Sequence, residues 1–137
     1  MISQKDPKSK GIEGAFMEKS EMRKLAEFIE KLSWDDLPEE VKTTVSFRVL
    51  DLISAALGAV DDPLVKKVKA SYLERNNGTG GKIWGSEGET DISTAAYINA
   101  MLAHTLELDD VHPASKTHGS ASLISAGWIC ALYVYAF

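Results

Sequence analysis

The stretch Ala95–Ser125, AAYINAMLAHTLELDDVHPASKTHGSASLIS, decides how the rest of the chain is read. It opens as an almost wholly apolar run, turns acidic at Glu107, Asp109 and Asp110, and passes through a loop carrying His112, Lys116 and His118. A second apolar run then begins. Two of the three histidines, and the only basic residue after Lys82, fall within positions 112–118. Ionisable groups collected between two apolar helices are what a small-molecule site needs. The plainer alternative, a solvated acidic helix end followed by a polar loop, fits the spacing equally well.

Inside the first run only Asn99 and His104 interrupt the apolar pattern before Leu106, so all sides of that helix are expected to be covered. Buried polar side chains must find hydrogen-bond partners. Asn99 is therefore expected to be structural and His104 a satisfied core histidine. Asp91 or Ser93 supplies the helix cap. The last run, Ser120–Phe137, carries Trp128, Tyr133, Tyr135 and Phe137 and no charge. It falls short of the ~20 apolar residues of a bilayer span and reads as a buried helix rather than a membrane anchor. The abrupt stop at Phe137 reads as a truncated or frameshifted end.

Upstream, the pattern is helical throughout. Residues 1–17 are polar, hold Pro7, Gly11 and Gly14, and read as a disordered tail, with Met17 as an alternative start. Ser20 caps a first helix whose Met22, Leu25, Ile29 and Leu32 recur at three- and four-residue steps. Pro38, Glu39 and Glu40 open a second, with an apolar stripe Val41, Val45, Val49, Leu52, Ile53, Ala56, Leu57 and Val60. Arg48 and Asp51 flank that stripe and are expected to pair with each other. Asp62-Pro63 starts a third helix, ended near Arg75 by Asn76–Gly81, NNGTGG. That glycine run lacks the pattern of a phosphate loop. Lys66, Lys67 and Lys69 read as a solvated face.

Composition narrows the function. At 137 residues one modest core is possible, and 45% hydrophobic with 26% charged residues is ordinary for a globular protein. A net charge of −5 argues against nucleic acid or an anionic membrane as partner. A single cysteine, Cys130, excludes an intrachain disulfide and a self-contained iron–sulfur cluster. No apolar leader is present, so the expected location is cytoplasmic.

Three segments carry a resemblance to a known family. Asn99–Asp110 (NAMLAHTLELDD), with Val111-His112-Pro113 and Thr117-His118-Gly119, resembles the MmgE/PrpD family. So do Lys24–Val41 (KLAEFIEKLSWDDLPEEV) and Leu50–Gly58 (LDLISAALG), in the same order. That family includes 2-methylcitrate dehydratases, cis-aconitate decarboxylases and an iminodisuccinate epimerase.

The resemblance implies an all-α fold of about five helices. Residues 18–137 would form part of the family's N-terminal helical domain, without its α+β lid. It implies a lyase for small polycarboxylates that needs no cofactor. His118 would be the acid/base, tuned by Glu107 or Asp110, with Asp109 the third catalytic acid beside it, and Lys116 with His112 would bind substrate. Relatives complete the site with a further histidine and lysines beyond position 137. The chain alone is thus expected to be weakly active or inactive, and to work as a homo-oligomer or with a completing chain. Two other readings stand beside this one. In the first, a helical fragment associates through its apolar C-terminus. In the second, Asp109, Asp110, His112 and His118 bind a metal, although their spacing is not that of a structural zinc site.

Overall fold

A computed structural model describes residues 20–135; the tail expected over residues 1–17 lies outside them. Five α-helices follow one another: α1 Glu21–Lys31, α2 Glu39–Gly58, α3 Pro63–Leu73, α4 Ile92–Thr105 and α5 Gly119–Tyr135. Among the described residues there is no strand, only the isolated antiparallel bridges Gly81–Thr90 and His112–Thr117. The all-α expectation holds. The chain divides into two compact units, one ending at Glu39 and the other beginning at Glu40.

The first unit contains α1 and a 3₁₀ turn, Trp34–Asp36. Ser20 caps α1 as its sequence predicts, its Oγ accepting the Arg23 N–H at 3.3 Å. Lys24–Glu21 and Arg23–Glu27 pairs lie along the helix. The apolar stripe Met22, Leu25, Phe28, Ile29 and Leu32 is exposed.

The second unit is built around α4, which buries Thr94, Ala95, Ile98, Asn99, Leu102 and Ala103. It packs against α3 and, more extensively, α5. Leu52 and Ala56 from the end of α2, Ala59 just after it, Val65 from α3, and Ala121 and Ile129 from α5 complete the core with Ile83 and Trp84. Helix starts follow capping chemistry. Asp62 Oδ1 accepts from Leu64 N and Val65 N at 2.8 and 3.1 Å, with Pro63 at the first helical position. Asp91 Oδ1 accepts from Thr94 N at 2.9 Å and Ser93 Oγ at 2.5 Å.

The loop between α3 and α4 is pinned by Asn99. Its Nδ2 donates to Lys82 O at 3.0 Å and its Oδ1 accepts from Trp84 N at 2.9 Å. The expected structural role is thus concrete: one fully buried amide satisfies a donor and an acceptor of a non-helical segment. Gly81 sits so close that an added Cβ would lie 2.7 Å from Ala95 Cβ and 2.8 Å from Asp91 O. Only glycine allows that approach.

Two packing expectations need correction. Of the α2 stripe only Leu52 and Ala56 are buried, with Ile53 and Val60 partly so; Val41, Val45 and Leu57 are exposed. Helix α5 is not buried all round either. Ala121, Ser125 and Ile129, at four-residue steps, face the core, whereas Leu123 is 74% exposed and Trp128 40%. The second unit has too few elements to cover both faces of an apolar helix. Among the described residues no single helix is long and apolar enough to cross a membrane.

Candidate functional site

Helix α4 ends at Thr105, and the chain reverses at once. Glu107 adopts φ of 50°, a left-handed conformation uncommon outside glycine, and its N–H donates to His104 O at 2.9 Å. This reversal folds Asp109 back against the last turn of α4. Its carboxylate, with a side chain 0% exposed, meets His104 Nδ1 at 3.0 and 3.2 Å through its two oxygens. His118, one residue before α5, brings its own Nδ1 to within 3.2 Å of Asp109 Oδ2. The two imidazole rings then lie 4.6 Å apart, edge to face at 65°.

An ionised carboxylate can only accept, so each imidazole donates its Nδ1 proton to Asp109. That fixes the tautomer: in the neutral rings Nε2 carries the lone pair. The side chains of His104 and His118 are 49% and 36% exposed, so the site is a buried anion under two accessible imidazoles. Holding a base through its other nitrogen is the arrangement by which general acid–base histidines are oriented.

Asp110 turns the other way, as two adjacent acids at a helix end must. Its Oδ2 accepts from Arg48 Nη1 at 2.7 Å, across 62 residues of sequence. The expected Arg48–Asp51 pair is replaced by this one. Asp110 Oδ1 is buried and has no hydrogen-bond partner among the described residues. Arg48 also lines an open hollow of about 610 Å³ on α2, with Thr44, Phe47, Leu50, Asp51 and Ser54.

His112 and Lys116 belong to a tight turn. His112 N donates to Thr117 O at 2.9 Å and Lys116 N to His112 O at 2.7 Å, with Lys116 at φ of 53°. Ser115 N donates to His112 Nδ1 at 3.3 Å, and Ser115 Oγ lies 2.8 Å from the same atom. Nδ1 of His112 is therefore an acceptor, the opposite tautomer from the other two histidines. Glu107 and Lys116 are exposed, and their side chains have no partner among the described residues.

Of the six residues singled out in the sequence, the fold joins Asp109 and His118 directly. Asp110 is next to them but committed to Arg48, and His112, Lys116 and Glu107 stand apart. The carboxylate on His118 is Asp109 rather than Glu107 or Asp110, because the left-handed turn exposes Glu107 and Arg48 claims Asp110. His104 is satisfied as expected but is no core histidine. It lies on the rim of α4, where a five-residue step across a helix end brings it to Asp109. The profile of the MmgE/PrpD N-terminal domain matches residues 23–134, most of the chain.

The chain belongs to the MmgE/PrpD family. Comparison with curated proteins and with solved structures gives no match. In this MmgE/PrpD N-terminal domain, the segment between α4 and α5 that carries the resemblance is also the segment that gathers the ionisable cluster. Arg48 and His104 were outside that reading. Arg48 carries no local signal, since its partner lies 62 positions away.

Proposed function

We propose that this chain supplies the proton-transfer part of a lyase site for small polycarboxylates, of the 2-methylcitrate dehydratase type. The observation that carries this reading is the single buried carboxylate of Asp109 holding both His104 and His118 by Nδ1. In the reaction, Nε2 of one imidazole takes the proton from the carbon next to a substrate carboxylate. A carbon–carbon double bond forms as the carbon–oxygen bond breaks, and hydroxide leaves as water with a proton from the second imidazole. His118, neutral with its lone pair on Nε2, is the base in this scheme; His104 is the acid and enters as the imidazolium, with a proton on Nε2 as well as on Nδ1.

Binding a tricarboxylate needs cations. The candidates are Lys116, exposed in the turn between α4 and α5, and Arg48, engaged by Asp110. A substrate carboxylate of suitable reach would compete with Asp110 for Arg48. Further cations would come from outside the described residues, from a completing chain or a second copy. The test is turnover of 2-methylcitrate, with cis-aconitate and iminodisuccinate as alternatives, by this chain alone and with the remaining segment of a family member. Turnover is expected in the completed protein and lost in His118→Ala with the helical content unchanged. Turnover that survives His118→Ala would refute the assignment.

A second reading has an observation of its own. Exposed Leu123 and Trp128 on α5 suit association through that helix. Leu123→Glu should then convert a concentration-dependent oligomer to monomer in sedimentation velocity, and an unchanged distribution would count against it.

A further inference from the structure

Three potential metal-ligating side chains converge where the sequence shows no metal-binding spacing. One ligand atom each from His104, Asp109 and His118 lies within 4.8 Å of the other two. Two of the three separations, 3.0 Å from His104 and 3.2 Å from His118 to the carboxylate, are already close to those between ligands around one small cation. We propose that this trio is a binding site for a divalent transition-metal cation such as Zn²⁺. The set differs from the one suggested by residue type alone. Asp110 is removed by Arg48 and His112 by Ser115, while His104 enters.

The chemistry of the donors fits. Two imidazoles and one carboxylate suit zinc, nickel or iron, and three protein ligands leave a position open for water or a small ligand. The anion is already desolvated: Asp109 loses its hydration on folding, so replacing two N–H donors by a cation exposes no new buried charge. Binding exchanges the two Nδ1–H···O hydrogen bonds for Nδ1–metal and O–metal bonds. Each displaced proton moves to Nε2 of the same ring, both rings being partly open to solvent. The ligand nitrogens of the two rings, within 4.8 Å of each other, draw closer on binding.

This inference stands on the geometry and not on the lyase reading, and it has a consequence for that reading. With metal on Nδ1 and a proton on Nε2, neither ring keeps a basic nitrogen. Zn²⁺ would therefore inhibit proton transfer at the site.

Metal binding is measured on the chain without substrate, so its failure is distinct from failure of the proposed activity. Co²⁺ titration of the full chain, followed by visible absorption and calorimetry, should give one ion per chain. His104→Ala and His118→Ala should each weaken binding at least about tenfold, the range seen when the support of a metal site is removed. His112→Ala and Cys130→Ser should leave it unchanged. Binding that persists in the first two variants, or is lost in the last two, overturns the assignment. A variant-free measurement guards against misfolding. Histidine-selective nitrogen NMR with Zn²⁺ should move the proton of His104 and His118 from Nδ1 to Nε2 while His112 stays unchanged. No Zn²⁺-dependent change at those two rings would refute the site.

Discussion

Arg48 Nη1 lies 2.7 Å from Asp110 Oδ2, so a helix early in the chain is tied to the acidic turn 62 residues later. The two side chains are 51% and 31% exposed, which puts the pair in the weak class despite its short distance. A double-mutant cycle of Arg48→Ala and Asp110→Asn, read by urea unfolding, should give a coupling of about 0.2–1 kcal/mol. A coupling well above this would mean that the pair is a stabilising clamp. In a completed, active protein the same Arg48→Ala change should raise KM for a polycarboxylate more than it lowers kcat. Equal loss in both would remove Arg48 from substrate binding.

Asn99 offers a sharper stability test. Asn99→Leu keeps the volume but strands Lys82 O and Trp84 N, both satisfied by one buried amide. Each unsatisfied group is expected to cost about 1–3 kcal/mol. Thermal unfolding should show the loss, and Trp84 fluorescence should report a loosened loop. A change below about 1 kcal/mol would mean that water replaces the amide without penalty.

Asp91 sets an acid limit. Hydrogen bonds from the side chains of Ser93 and Thr94, with the Thr94 N–H, hold its carboxyl down to about 2 from the ordinary 3.8. A carboxyl depressed on folding stabilises the fold above its unfolded value and loses that contribution as pH falls through the folded value. The wild type should therefore lose this stabilisation between about pH 4 and pH 2. Asp91→Ala should lower stability at neutral pH by about 0.5–2 kcal/mol, as loss of an N-cap does, and flatten the acid limb. An unchanged slope in that window would show that the capping bonds do not persist in solution.

The elements were legible because their signals are local. Ser20, Asp62-Pro63 and Asp91 mark helix starts by a side chain and an N–H two or three residues away. What escaped depends on tertiary geometry. The left-handed turn at Glu107 carries no glycine to announce it, yet it carries Asp109 back to His104. The apolar stripes of α2 and α5 predicted burial, but periodicity specifies a face and not what covers it. For the site, chemistry was visible as a cluster of residue types, while the partners were not. Only the fold says that Asp109 serves two imidazoles and Asp110 an arginine.

Asp109 is the residue on which the cluster turns, and Asp109→Asn separates structure from chemistry. The amide keeps the shape but loses the charge, and one of its ends is now a donor facing an imidazole N–H. At least one of His104 and His118 must then flip its tautomer or release its contact. Because the site is buried, a stability loss of about 1–3 kcal/mol is expected from the unmatched group. In a completed protein kcat should fall by about 10²–10⁴, the range lost with a general acid–base group, while KM changes little. Histidine NMR should show the Nδ1 proton of at least one ring displaced. A variant that keeps both Nδ1–H resonances and full kcat would show that Asp109 merely fills space between the rings.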